Sequence, residues 1–237
     1  MMTRNVPLLV LAFLTACRPA VQTPATPPST VPDGINERFL DPELDPDTWT
    51  NRWEVESREI YAERHAIAAA VQLRAGEDVA DVGAGTGLFV APFSQAVGPE
   101  GRVYAVEISP KFVEHIRQRA ASEGLANVEA VLSREDSTTL PRGAVDAVFL
   151  CDTYHHFTDY EAMLRSLRDA IRPGGRLVIV DFERISGVSR EWILGHVRAG
   201  KEQVIAEVEA GGFELEEEIE VPGLDENYVL RFRRLGS

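Results

Sequence analysis

Cysteine is nearly missing from this chain, which holds only Cys17 and Cys151 among 237 residues. No disulfide framework can therefore staple the fold. Basic residues are in deficit: 24 Lys and Arg stand against 38 Asp and Glu, for a net charge of −14. Binding to DNA or RNA depends on neutralising phosphates, so no nucleic acid is expected as a partner. Long apolar runs are missing too, because Val6 to Ala16 stops well short of the about 20 residues that a bilayer-spanning helix needs. Nor does an internal repeat divide the chain. What is present is 44% apolar residues, enough for the core of one α/β domain of ordinary size with extensions.

The amino end carries Arg4, the apolar run Val6–Ala16 and small residues before Cys17, the layout of an export signal. Leu14-Thr15-Ala16-Cys17 resembles the lipobox of bacterial lipoproteins, which implies a signal peptide over residues 1–16 and a lipid on Cys17. Diacylglycerol plus an N-acyl chain gives more than the two hydrophobic signals that stable membrane anchoring needs. Arg18, rather than an Asp, after the cysteine resembles lipoproteins sent to the outer membrane of Gram-negative cells. The expected location is thus the cell envelope, facing the periplasm, with a cytoplasmic location if that segment is no signal. Residues 17–46 hold seven of the chain's 14 prolines and read as an extended tether. With Cys17 lipidated, Cys151 has no intramolecular partner.

Residues 47–237 form the expected domain. Trp49, Arg52, Trp53 and Glu54 lead into an expected helix over 54–73, and these aromatics either form a lid over a pocket or pack an N-terminal helix. Strand-like runs then alternate with helix-like runs. Strands are expected at Asp78–Val82, Arg102–Glu107, Asn127–Leu132, Val145–Cys151 and Arg176–Phe182, and helices at Thr86–Val97, Pro110–Glu123 and Tyr160–Ile171. Such alternation argues for a doubly wound, mostly parallel sheet covered on both faces. After a helix at Lys201–Ala210, Phe213 to Val221 alternates apolar residues with Glu214, Glu216, Glu218 and Glu220, as a half-exposed strand does, and a last strand covers about Tyr228–Arg233.

The chain is organised around Val79-Ala80-Asp81-Val82-Gly83-Ala84-Gly85-Thr86-Gly87-Leu88-Phe89. Three glycines at spacing two strip Cβ atoms from one side of a strand-to-helix turn, so a ligand can lie directly on the backbone. Dinucleotide folds want G-x-G-x-x-G, but Leu88 occupies the last glycine position. Asp81 suits a ligand carrying an ammonium group better than it suits a pyrophosphate. The segment resembles motif I of the class I S-adenosylmethionine-dependent methyltransferases, acidic-x-G-x-G-x-G. The resemblance implies S-adenosylmethionine as cofactor and a seven-stranded sheet with an antiparallel last strand. It covers about residues 50–235, and it places Asp81, Gly83, Gly85 and Gly87 at the cofactor.

Glu107 ends the second strand, where a carboxylate can accept from both ribose hydroxyls. Asp136-Ser137-Thr138-Thr139-Leu140-Pro141 resembles the family's acidic-x-x-x-Leu-Pro segment, which implies that Asp136 accepts from the adenine amino group. The fourth strand ends in Cys151-Asp152-Thr153-Tyr154-His155-His156-Phe157, a polar cluster hard to explain as core. In the family this place faces the sulfonium methyl. Asp152 is expected beside the methionine part of the cofactor, and Tyr154, His155 and His156 are the candidate catalytic residues, with His155 ahead as base. Asp152, His155, His156, Asp159 and Asp181 also allow a divalent-ion reading, but Asp181-Phe182-Glu183 replaces the Asp-Asn pair of metal-using methyltransferases, and no metal is expected. Gly195-His196-Val197-Arg198-Ala199-Gly200-Lys201 either holds an anionic substrate or caps a helix.

The expected function is methyl transfer to an unidentified acceptor, a small molecule rather than a protein. The alternative is a ligand-binding or scaffold lipoprotein on the same fold without turnover. Export is the departure that matters, since family members usually work where S-adenosylmethionine is made. Oligomeric state is left open by the sequence.

Overall fold

The computed structural model describes residues 31–236, so the expected export signal and Cys17 lie outside the described residues. Its helices are α1 (Glu37–Leu40), α2 (Pro46–Trp53), α3 (Glu59–Ala62), α4 (Arg64–Ala70), α5 (Val90–Val97), α6 (Pro110–Ser122), α7 (Tyr160–Ala170), α8 (Glu191–His196) and α9 (Lys201–Ala210). Its strands are β1 (Val79–Val82), β2 (Val103–Glu107), β3 (Val128–Leu132), β4 (Val145–Cys151), β5 (Ile171–Phe182), β6 (Phe213–Glu218) and β7 (Asn227–Arg234). They form one seven-stranded sheet in the order β3-β2-β1-β4-β5-β7-β6. The first five strands run parallel, and β7 lies antiparallel between β5 and β6. The doubly wound sheet expected from the alternation is the one observed.

Both faces of the sheet's central strands are buried. Ala80, Val82, Val148, Leu150, Leu177 and Ile179 pack with Leu164 and Leu167 of α7 and Val204 and Val208 of α9. Their neighbours in the strands, Val79, Phe149 and Val178, face the other way onto Ile67 of α4 and Phe93 of α5. A period of two within strands buried on both sides gives the continuous apolar runs of the sequence. Each large apolar side chain so buried contributes about 1.5–3 kcal/mol. Helix ends follow local chemistry: Pro110 opens α6, and Asp159 accepts from the Ala162 N–H at 2.9 Å to cap α7.

Several expectations change. The single helix expected over 54–73 is broken into α3 and α4, with residues 54–58 irregular. There Glu54 turns to accept from Thr86 and Arg119, and Arg58 reaches Asp152. The helix expected from Thr86 begins at Val90, because the glycine turn extends through Phe89. The tether expected to reach Pro46 gives way earlier, since Ile35, Asn36 and Leu44 are buried and residues 37–40 are helical. β5 starts at Ile171, but its ladder with β4 skips from Ile171 to Arg176, so Arg172–Gly175 keeps its turn character. The acidic residues of β6 are exposed, as a solvated face requires, and Glu214 and Glu217 pair with Arg233 and Arg231 of β7. Among the described residues no helix is long and apolar enough to cross a membrane.

Candidate active site

The carboxyl ends of β1, β2 and β4 converge where the strand order reverses, the position at which open α/β sheets bind ligands. Leaving β1, the chain holds Gly83, Gly85 and Gly87 at φ of +78°, +54° and +82°, values that L side chains rarely adopt. A Cβ on Gly83 would lie 2.4 Å from the Thr153 side chain. Asp81 points into this place at 2% exposure, and its Oδ2 has no hydrogen-bond partner. Burial, reinforced by the Glu107 carboxylate, pushes the Asp81 carboxyl up to about 8. An unpartnered buried carboxyl costs free energy unless a donor arrives. Glu107 accepts from the N–H groups of Gly85 (2.8 Å), Ile108 (2.8 Å) and Ser109 (3.0 Å). Burial raises its carboxyl against those three bonds. Its Oε2, with one partner, retains capacity to accept another.

The amino-terminal segment closes over the turn. Trp53 stacks on Phe112 with ring centroids 5.7 Å apart, and its ring lies 3.1 Å from where a Gly85 Cβ would stand. Glu54 accepts from Thr86 Oγ1 at 2.7 Å and from Arg119 at 2.6 Å, which pins α2 across the start of the site. Phe39, Trp49 and Trp53 continue the wall around a cavity of about 210 Å³. Trp49 and Trp53, expected either as a lid or as packing for an N-terminal helix, line the cavity. Phe39 and Asn36, from the stretch read as tether, are residues that sequence reasoning missed.

β4 delivers the polar end of the cavity. Asp152 sits at φ +50°, uncommon for a residue with a side chain, and binds Arg58 at 2.9 Å and Asn227 at 2.7 Å. Burial raises its carboxyl to about 6, with Arg58 opposing. A single 3₁₀ turn, Tyr154–His156, then sends three side chains to three places. Tyr154 goes into the core, where its hydroxyl donates to Glu207 at 2.8 Å, so the structure turns this catalytic candidate away from the cavity. His155 lines the cavity and is tied to Asp181 twice, through its backbone N–H at 3.1 Å and Nδ1 at 2.7 Å. His156 also lines it, with Nδ1 3.1 Å from Asn36 Oδ1. His196, at the end of α8, completes this end, its ring stacked 4.9 Å from Trp192. Burial first, then the neighbouring His155, pushes His156 down to about 2 and His196 to about 4.

Asp136 is brought to no part of this site. The loop closes on itself through Arg134 N–H to Ser137 O at 2.9 Å, and the exposed Asp136 pairs with Arg134 at 3.3 Å. Asp159, named in the divalent-ion reading, is spent on the α7 cap. Arg198 pairs with Glu207 in the interior and Lys201 with Glu183 and Glu218, so of the segment Gly195–Lys201 only His196 reaches the cavity.

The site's fit to S-adenosylmethionine rests on its donor set. Asp81 offers an unpartnered buried carboxylate oxygen to an ammonium group, Glu107 an acceptor to ribose hydroxyls, and the glycine turn a surface free of Cβ atoms. Comparison with known proteins agrees with this chemistry. Residues 79–175 match the family described as a methyltransferase domain. The ubiquinone/menaquinone biosynthesis C-methyltransferase UbiE of Hahella chejuensis is 31% identical over 113 residues, covering 47% of this chain and 45% of that protein. The chain thus spans about half the length of the curated relatives it matches. A crystal structure of a SAM-dependent methyltransferase from Aquifex aeolicus superposes with a TM-score of 0.71 at 23% identity, covering 81% of this chain and all of that one. The [4+2]-cyclase SpnF shares the fold with a TM-score of 0.65 at 18% identity, covering 78% of this chain and 86% of that one. Residues 79–175 match a methyltransferase domain, and the sheet around them has the fold seen in solved S-adenosylmethionine-dependent methyltransferases.

Proposed function

We propose that this chain transfers a methyl group from S-adenosylmethionine to a small-molecule acceptor. The observation that carries the reading is Asp81, a buried carboxyl with an oxygen left unpartnered beside the glycine turn. S-adenosylmethionine supplies an electrophilic methyl on a sulfonium that is already a good leaving group. The chain's own task is then positioning and proton removal. Asp81 holds the ammonium group of the cofactor and Glu107 its ribose hydroxyls. Asp152, fixed by Arg58 and Asn227, stands between them and the imidazoles. Asp181 holds the His155 ring through Nδ1, which leaves Nε2 to take a proton from an acceptor hydroxyl. Phe39, Phe182 and Trp192 give this end of the cavity flat apolar walls, which suit a planar aromatic acceptor bearing a hydroxyl.

Leu14-Thr15-Ala16-Cys17 and the prolines after it support a further part of the proposal, that a lipid on Cys17 tethers the domain to the cell envelope, on the periplasmic side of the outer membrane. The activity is tested by incubating the protein with methyl-labelled S-adenosylmethionine and a panel of phenols, naphthols and quinols. Label recovered in an extracted acceptor, and absent when protein is omitted, is the expected result. No transfer to any acceptor from a protein that binds the cofactor would favour the ligand-binding reading instead. The cyclase among the structures of this fold is a reminder that the scaffold alone does not decide.

A further inference from the structure

Three imidazoles meet at the acceptor end of the cavity. His155 and His156 come from the turn after β4 and His196 from the end of α8, and one ring nitrogen of each lies within 4.8 Å of those of the other two. The rings are in mutual contact, with centroids 4.4 Å apart for His155 and His156, 5.1 Å for His155 and His196, and 5.3 Å for His156 and His196. The neighbours of two of them settle which nitrogen is free. Asp181 already accepts from the backbone N–H groups of His155 and Phe182, so at 2.7 Å the His155 Nδ1 is the donor and Nε2 carries the lone pair. Asn36 Nδ2 donates to the His156 carbonyl and to Glu135, which fixes Oδ1 as the atom that accepts from His156 Nδ1. His156 therefore also keeps its lone pair on Nε2.

We propose that His155, His156 and His196 together bind one divalent transition-metal ion of the zinc type. Imidazole nitrogen suits zinc, copper, iron and nickel, whereas magnesium and calcium select oxygen. A histidine whose other nitrogen donates to a carboxylate is the arrangement that metal-binding imidazoles use, and Asp181 supplies it to His155. Zinc–nitrogen bonds of about 2.0–2.1 Å set neighbouring nitrogens about 3.4 Å apart in a tetrahedron, so the trio must close by about 1.4 Å at its widest. His196 is the ligand free to move, because it is half-buried at the end of a six-residue helix and is held by ring contacts. The other two are fixed by hydrogen bonds.

Three nitrogen ligands leave a fourth position for water or an acceptor oxygen. This inference goes beyond methyl transfer, since the ion requires no cofactor. It also draws on the same His155 Nε2 that proton removal uses. In the loaded protein, acidifying a bound hydroxyl falls to the ion.

The test uses the full chain without an added histidine tag, dialysed against Zn²⁺, Co²⁺ or Mg²⁺ and freed of loose metal by a chelating resin. Bound metal is counted by mass spectrometry, and Co²⁺ is followed by its visible spectrum. Wild type should retain about one Zn²⁺ or Co²⁺ per chain and no Mg²⁺. His196→Ala, a change at the cavity rim, and Asp181→Asn should each weaken retention by about 10–100-fold. His65→Ala, at an exposed position far along the sequence from the trio, should change nothing. Absence of retained Zn²⁺ and Co²⁺ in wild type, or equal retention by wild type and His196→Ala, overturns the proposal. S-adenosylhomocysteine binding measured on the same samples reports separately on the methyl-transfer reading, so either can fail alone.

Discussion

Replacing Asp81 with Asn removes a carboxyl that the fold buries with one oxygen unpartnered. Burial, and then the charge of Glu107, lift this group from 3.8 to about 8. Between those two values the folded chain keeps the proton and the unfolded chain has released it. Stability from this group is therefore full below the unfolded value and is lost as pH rises toward the folded one. The loss is about 1.4 kcal/mol per pH unit and accumulates to about 5 kcal/mol, as an upper bound, by pH 8. Asn is neutral throughout and has no such slope. Urea denaturation of wild type and Asp81→Asn at intervals from pH 5 to 9 should show the variant gaining on wild type by about 1.4 kcal/mol per unit up to pH 8, then a constant gap. Saturating S-adenosylhomocysteine should flatten the wild-type decline, because its ammonium group stabilises the ionised carboxylate. Parallel pH profiles for the two proteins would refute the reasoning.

Three further outcomes can be checked independently. His155→Ala should leave cofactor affinity nearly unchanged while metal-free turnover falls about 10²–10⁴-fold, the contribution of a positioned base; equal turnover in wild type and variant would remove His155 from that role. Gly83→Ala sets a Cβ 2.4 Å from Thr153 at a φ of +78° and should cost about 1–3 kcal/mol in chemical denaturation, whereas a neutral change would mean that the turn relaxes freely. Mass spectrometry of membrane-extracted native protein should find a mature chain starting at a lipid-modified Cys17, and an unmodified chain beginning at Met1 contradicts the tether.

Much of the scaffold was legible because its signals are local. β1, β2 and β3 each begin one residue later than their apolar runs suggest, and β4 and α9 match their runs end to end. Glycine spacing and Asp81 marked the turn that lines the cavity for the same reason, since a Cβ-free turn is written in consecutive residues. What was not legible depends on distant partners. The helix expected over 54–73 has good periodicity, yet Glu54 and Arg58 gain more from Arg119, Thr86 and Asp152 than from continuing it. Tyr154 shares a polar cluster with His155 in sequence, but a 3₁₀ turn aims neighbouring side chains in different directions, and Glu207 captures its hydroxyl. Asp136 matched a pattern whose meaning depends on loop conformation, and here the loop turns it to solvent. Asn36, Phe39 and His196 reach the cavity through tertiary packing that no spacing encodes.

Calorimetric titration of the protein with S-adenosylhomocysteine, run beside NAD and beside Gly85→Val, tests the central assignment most directly. Valine at Gly85 brings a branched Cβ to a φ of +54° within 3.1 Å of the Trp53 ring, on the surface where the ligand must lie. Wild type should bind S-adenosylhomocysteine at one site per chain and leave NAD unbound, and Gly85→Val should lose that binding while a thermal melt confirms its fold. Equal affinity in wild type and Gly85→Val, or no binding by a folded wild type, would contradict the site described at the end of β1.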